Sequence, residues 1–131
     1  TEVELALRQE KVEEALALAE VALAKATAAN NLFALGMTHR FWAMALAALE
    51  PPRWDEAEQH LALSLETLEE GHCVPEIART HVTWGRLREK LNDPVGAREH
   101  FEKAIAGLEA ASLSAEADRV RQRLAHLAVR T

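Results

Sequence analysis

Apolar residues recur along most of this chain every three or four positions, the spacing that gathers them on one face of an α-helix. Val3, Leu7, Val12, Leu16 and Leu23 open the pattern. Turn-favouring residues interrupt it at Asn30-Asn31, Pro51-Pro52, Gly71-His72, Asn92-Asp93-Pro94 and Ala111-Ser112. These five breaks predict six helices, at about 3–29, 32–49, 54–70, 75–91, 94–110 and 114–129. Each connection is short, so neighbouring helices are expected to pack antiparallel. Pro94 suits the first turn of its helix, with Asp93 or Asn92 as the cap, and the double proline ends the preceding helix sharply.

The pattern also repeats. Trp54-Asp55-Glu56-Ala57 aligns with Pro94-Val95-Gly96-Ala97, and the same offset places Leu61, Ser64 and Leu65 opposite Phe101, Ala104 and Ile105. Stepping back from Ala57 by a slightly longer interval brings Val12-Glu13-Glu14-Ala15 into the same register, followed by Ala19, Ala22 and Leu23. The intervening helices align as Phe41 and Met44-Ala45 with His81 and Trp84-Gly85, and then with Leu124-Ala125. Small residues at Ala15, Ala45, Ala57, Gly85, Ala97, Ala104 and Ala125 are therefore expected where helices approach closely.

The spacing Trp84-Gly85, Ala97, Phe101, Ala104 is similar to the tetratricopeptide repeat. In that family a large and a small residue on one helix meet Ala, an aromatic and Ala on the next. The repeat here is about 40 residues where the ordinary one is about 34, and Ala48 and Arg88 stand at the position of the family's tyrosine. Phrases such as Ile77-Ala78-Arg79-Thr80 and the run from Asp93 to Phe101 resemble the helical arrays of large bacterial signalling proteins. Those include signalling ATPases, maltose-regulator-type transcription activators and multidomain cyclases. The resemblance implies an all-α, right-handed α-solenoid of antiparallel pairs spanning residues 1–131 as one domain. Its implied role is protein–protein interaction within a larger signalling or regulatory protein.

Composition agrees with an all-helical fold. Ala and Leu dominate, β-branched and aromatic residues are few, and 49% of the chain is apolar against 27% charged. No apolar run nears the roughly 20 residues of a membrane span, and the start TEVELALRQE lacks a basic-then-apolar signal pattern, so a cytoplasmic location is expected. A single cysteine, Cys73, fits a reducing compartment. Beginning at Thr and running straight into helical pattern, the chain reads as a fragment of something longer. Its net charge of −6 argues against direct nucleic-acid binding. The charge is uneven: residues 1–70 hold five basic and thirteen acidic side chains, and residues 71–131 hold ten and eight.

No Gly-rich phosphate loop, Gly-x-Ser-x-Gly elbow, zinc-protease histidine pair or Cys-x-x-Cys is present, so no enzymatic role and no cofactor are expected. His72, Cys73 and His81 are of the right chemistry for zinc but poorly spaced, since adjacent ligands do not easily converge on one tetrahedral ion. No metal site is assigned to them. His60 and His100 are repeat-equivalent and are expected to be half-exposed.

In the family's arrangement the first helix of each pair lines a concave groove. The residues placed there are His39, Trp42 and Leu46, then Arg79, Val82, Arg86 and Lys90, then Arg119, Gln122, His126 and Arg130. Helical spacing puts Arg79, Arg86 and Lys90 on one face, and Arg119, His126 and Arg130 on another. The expected partner is a protein or acidic peptide segment gripped by arginine, with Trp42 and Leu46 as the apolar end. A regulatory sensor of a small anionic ligand is the alternative function. The same side chains also read as solvated faces bridged to Glu76, Glu89 and Glu116. A second surface is expected on the first helix, where Val3, Leu7, Val12, Leu16 and Leu23, left partly uncovered, could support a homodimer.

Overall fold

The computed structural model describes the backbone of residues 2–130 and the side chains of residues 2–127. The described residues are all-helical, without a strand, and form α1 (Glu2–Arg8), α2 (Val12–Ala28), α3 (Leu32–Ala47), α4 (Trp54–Glu70), α5 (Val74–Lys90), α6 (Pro94–Ala110) and α7 (Ser114–Arg130). The count is seven, not six. The expected first helix is broken at Gln9–Lys11, a stretch with no Gly, Pro or Asn to mark it.

The cause of that break recurs four more times. Glu10, Asn30, His72, Asn92 and Ser112 all adopt positive φ, between 50° and 61°. In each case the next residue's N–H reaches back five positions: Lys11 to Ala6 O, Asn31 to Ala26 O, Cys73 to Leu68 O, Asp93 to Arg88 O and Leu113 to Leu108 O. This is the Schellman closure, which satisfies helix-end carbonyls by folding one residue into the left-handed region. The residue that closes one helix also starts the next, since Lys11, Asn31, Asp93 and Leu113 accept from Ala15, Leu35, Ala97 and Ala117. Asn31 and Asp93 add side-chain caps to the N–H of Ala34 and Gly96. Gly71, the expected helix end, precedes the left-handed residue and has an ordinary negative φ. Because an L-residue in this region costs about 1–2 kcal/mol, Ser112→Gly should raise stability by about 0.5–1 kcal/mol despite glycine's freer unfolded state. Ser112→Val should lower it, and urea midpoints of the two variants test the turn.

Three-residue turns, each hinged on one left-handed residue, fix the helix step. The starts at Val12 and Leu32 are separated by the same interval as those at Trp54, Val74, Pro94 and Ser114, and only Pro51-Pro52-Arg53 lengthens the α3–α4 step, by two positions. First helices α3 and α5 are therefore related by a shift two positions longer than the one that relates α4 to α6. Gly85 corresponds to Ala43, Trp84 to Trp42 and His81 to His39, which corrects the alignment of Phe41 with His81 and of Ala45 with Gly85.

The chain divides into two compact units, residues 1–73 and 74–131. In the first, Val3, Ala6, Ala15, Ala19, Phe41 and Ala45 form a core shared by α1, α2 and α3, and α4 packs closely on α3. The α3–α4 pair is antiparallel: Gly36 lies so close to Leu68 that a Cβ would fall 2.3 Å from its side chain, while Ser64 Oγ donates to Gly36 O at 2.7 Å. In the second unit Ala78, Ala97, Phe101, Ala104, Leu108, Ala117, Val120 and Leu127 form the core. Gly85 sits against the Phe101 ring, and Ala78 against Gly107, so α5 and α6 are likewise antiparallel.

Six of the seven small residues expected at helix contacts are buried, and Ala125 is not. Its counterpart Gly85 faces α6, whereas among the described residues no helix packs on that face of α7. Of the five apolar residues expected to stay partly uncovered on the first helix, only Val3 is buried. Val3 is only 3% exposed, because α1 is a separate helix that packs back on α2 and α3, and Leu7, Val12, Leu16 and Leu23 are half-buried.

Candidate functional site

Each unit carries the same three-ring cluster. In the first, His39 and Trp42 are one turn apart on α3 and meet His60 from α4. His39 Nδ1 lies 2.9 Å from His60 Nδ1, the two ring centroids are 5.2 Å apart, and Trp42 stacks on His60 at 4.4 Å and 17°. In the second, His81 and Trp84 on α5 meet His100 on α6. The nitrogens are 3.0 Å apart, the imidazole centroids 5.3 Å apart, and Trp84 stacks on His100 at 4.6 Å and 12°.

The difference between centroid and nitrogen separations is about two ring radii, so the nitrogens lie near the line of centres and the imidazoles meet edge to edge. One ring must then carry its proton on Nδ1 and donate, while the other carries it on Nε2 and accepts. Two lone pairs aimed head-on do not converge on a common ion. Among the described residues no group of three or more His, Cys, Asp or Glu side chains gathers as a metal site. His72 is exposed and Cys73 half-buried in the first unit, whereas His81 is buried in the second.

Burial keeps these rings neutral. His39 is pushed down to about 4 by desolvation and then by His60, and His60 is lowered by desolvation against the opposing pull of Glu56. His81 falls to about 4 through desolvation, His100 and Lys103. His100 falls to about 4 through desolvation, Lys103 and Arg88, with Asp93 acting the other way. The half-exposure expected of His60 and His100 is found, but their buried partners were missed. The signal was His-x-x-Trp at 39–42 and again at 81–84, hidden by an alignment two residues out of register.

The expected groove residues divide between the units. In the first, His39 is 9% exposed and Leu46 2% exposed, so neither supplies an open surface, and Trp42 is half-buried on His60. Helical period puts the three on one face, and His39 and Trp42 turn from it onto His60 of α4. In the second unit Val82 is half-buried against the core, while Arg86, Lys90, Arg119, Gln122 and His126 are exposed. The Arg130 side chain lies outside the described residues.

Arg79 does not present a bare charge. Its Nη2 and Nε donate to the Glu116 carboxylate at 2.6 and 3.0 Å, and its Nη1 donates to Glu76 at 2.5 Å. Those bonds, led by Glu116, hold its pKa above the ordinary arginine value. Arg123 Nε donates to Glu89 at 2.9 Å. Residue 79 thus faces 116 and residue 89 faces 123, so α5 and α7 lie side by side and parallel, tied at two levels. By helical period, Arg86 shares the α5 face that carries Arg79 and Glu89, and Arg119 shares the α7 face that carries Glu116 and Arg123. The result is a two-helix face framed by ion pairs, with Arg86, Lys90 and Arg119 exposed on it.

No protein-family model matches the chain, and it matches no curated protein and no solved structure. No helix among the described residues is long and apolar enough to cross a membrane.

Proposed function

We propose that this chain is a tetratricopeptide-like interaction module, its helix pairs continuing as a right-handed α-solenoid within a cytoplasmic signalling or regulatory protein. The α5–α7 face binds an acidic segment of a protein partner. The observation that carries this reading is the parallel placement of α5 and α7, tied by Arg79–Glu116 and Glu89–Arg123, with exposed Arg86, Lys90 and Arg119 beside the bridges. The bridges set the helix spacing, and the cations left at the surface meet an anionic chain without a large reorganisation. Arginine there can grip carboxylates bidentately, which orients the segment as well as attracting it.

Binding of a fluorescein-labelled, Glu- and Asp-rich dodecapeptide, followed by anisotropy, tests this. Affinity should fall as salt rises, because attraction between exposed charges is screened over about 8 Å at physiological ionic strength. Arg86→Glu/Arg119→Glu should weaken binding about tenfold at low salt while leaving helicity intact. Equal affinity of wild type and the folded variant would show that these are only solvated faces.

A further inference from the structure

Most charges on this chain are met locally, and α4 is the exception. On α5, α6 and α7, Glu76, Glu89, Glu109 and Glu116 each pair with an arginine. Helix α4 contains no Lys or Arg, yet Asp55, Glu56, Glu66, Glu69 and Glu70 are exposed on it. Arg53 approaches Glu56, whereas Glu66, Glu69 and Glu70 have no ion-pair partner among the described residues. Their placement is unfavourable for a helix left to itself. Glu66 repels Glu69 and Glu70 one turn away, and the latter two stand in the final turn, where the helix dipole is negative and no basic side chain offsets them. Helix α5 ends the opposite way, with Arg88 and Lys90 in its last turn. A surface that sets aside a local rule without a compensating contact is characteristic of a functional one.

The cations of the α5–α7 face match this surface in sign and in spacing. Arg86, Lys90 and Arg119 are exposed and likewise lack an ion-pair partner among the described residues. Ala62, Glu66 and Glu70 follow one another at single-turn intervals on the exposed side of α4, as Val82, Arg86 and Lys90 do on α5, so each step is about 6 Å along either helix. Laid parallel, the two rows set small, exposed Ala62 against half-buried Val82, Glu66 against Arg86 and Glu70 against Lys90. An antiparallel approach still opposes the charges but carries Val82 past the end of α4.

We infer that the α5–α7 face takes α4 of a second copy of this chain, docked parallel to α5 with Glu66 on Arg86 and Glu70 on Lys90. This rests on the function proposed for that face and names its partner. The two surfaces lie on different helices, so every copy offers both halves of the contact. Docking supplies the cations that the end of α4 lacks, and Arg119 adds a further one from the other helix of the face. Attraction between such matched rows also fixes the register, since a shift by one turn leaves a carboxylate and a cation unopposed.

Sedimentation velocity of the whole chain should show an average mass that rises with concentration. Glu66→Lys/Glu70→Lys and Arg86→Glu/Lys90→Glu should each weaken self-association about tenfold or more. An equimolar mixture of the two variants should associate again, because the basic α4 of one then meets the acidic α5 of the other. Both variants keep a net negative charge, so bulk attraction does not supply that rescue. All four substituted side chains are exposed, and circular dichroism of both variants should match that of the parent chain. A chain that stays monomeric at every concentration, folded variants that associate as well as the parent, or a mixture that stays apart overturns the second copy. The labelled acidic peptide separates this failure from that of the face itself. If the chain is monomeric and Arg86→Glu/Lys90→Glu weakens peptide binding, the face takes an acidic segment of another protein and the second copy is overturned. If peptide binding is unchanged as well, both readings are overturned.

Discussion

Phe101→Ala should cost about 3–5 kcal/mol, Gly85→Ala about 1–2 kcal/mol, and the double variant distinctly less than their sum. Phe101 is completely buried at the centre of the second unit's core, so truncating it removes both its burial and the contacts of everything around it. A Cβ at Gly85 would stand 2.5 Å from Phe101 Cε1 and 2.6 Å from Cδ1, well inside van der Waals contact. The better helix propensity of alanine offsets about 1 kcal/mol of the resulting strain. In the double variant the added methyl enters the space the ring vacated, so a coupling of about 1 kcal/mol or more should appear in urea denaturation of the four proteins. Additive losses would mean that Gly85 and Phe101 do not oppose one another, and the pairing of α5 with α6 would need a different register.

Acid should unfold this protein through its paired histidines. The unfolded chain binds protons on histidine near pH 6.5, whereas His39, His81 and His100 hold out to about 4 in the folded state. Stability is therefore full above pH 6.5, declines as pH falls, and has lost this contribution once pH passes about 4. For the two most buried rings, His39 and His81, the loss approaches about 3 kcal/mol each, a large share of an ordinary domain's stability. Geometry gives the same sign. A doubly protonated pair would set two N–H groups 2.9–3.0 Å apart where one now donates to the other. Urea midpoints by circular dichroism at pH 7.5, 6, 5 and 4 should fall steeply, and His39→Gln/His81→Gln should flatten the profile even though it lowers stability at pH 7.5. An unchanged slope in that variant would place the acid sensitivity on other groups.

The helical pattern, five of the six breaks and the second-helix repeat from α4 to α6 could be read from residue types alone, because each rests on a local property. Prolines, asparagines and a glycine mark ends, and Ala57, Ala97 and Ala104 recur where a methyl group is the largest side chain that fits. The break at Glu10 could not be read this way. Its left-handed turn is held by backbone bonds, Lys11 N–H to Ala6 O and Glu10 N–H to Leu7 O, which a glutamate neither favours nor announces. The two-residue lengthening at Pro51-Pro52-Arg53 shifted the first-helix alignment and concealed that His39, Trp42 and His60 form the same cluster as His81, Trp84 and His100.

The candidate surface divides along the same line. Sequence by itself determined which residues share a helix face: Arg79, Arg86 and Lys90 on one helix, Arg119 and His126 on another, His39, Trp42 and Leu46 on a third. Only tertiary structure decided what each face meets, because periodicity gives direction around a helix axis and not the identity of the neighbour. His39 turned onto His60 of α4, Leu46 became buried, and Glu116 of α7, far along the chain, took up the charge of Arg79. Arg86 and Arg119 stayed exposed because the ion pairs that join α5 to α7 form at positions 79 and 89, leaving the cations on the same faces to solvent.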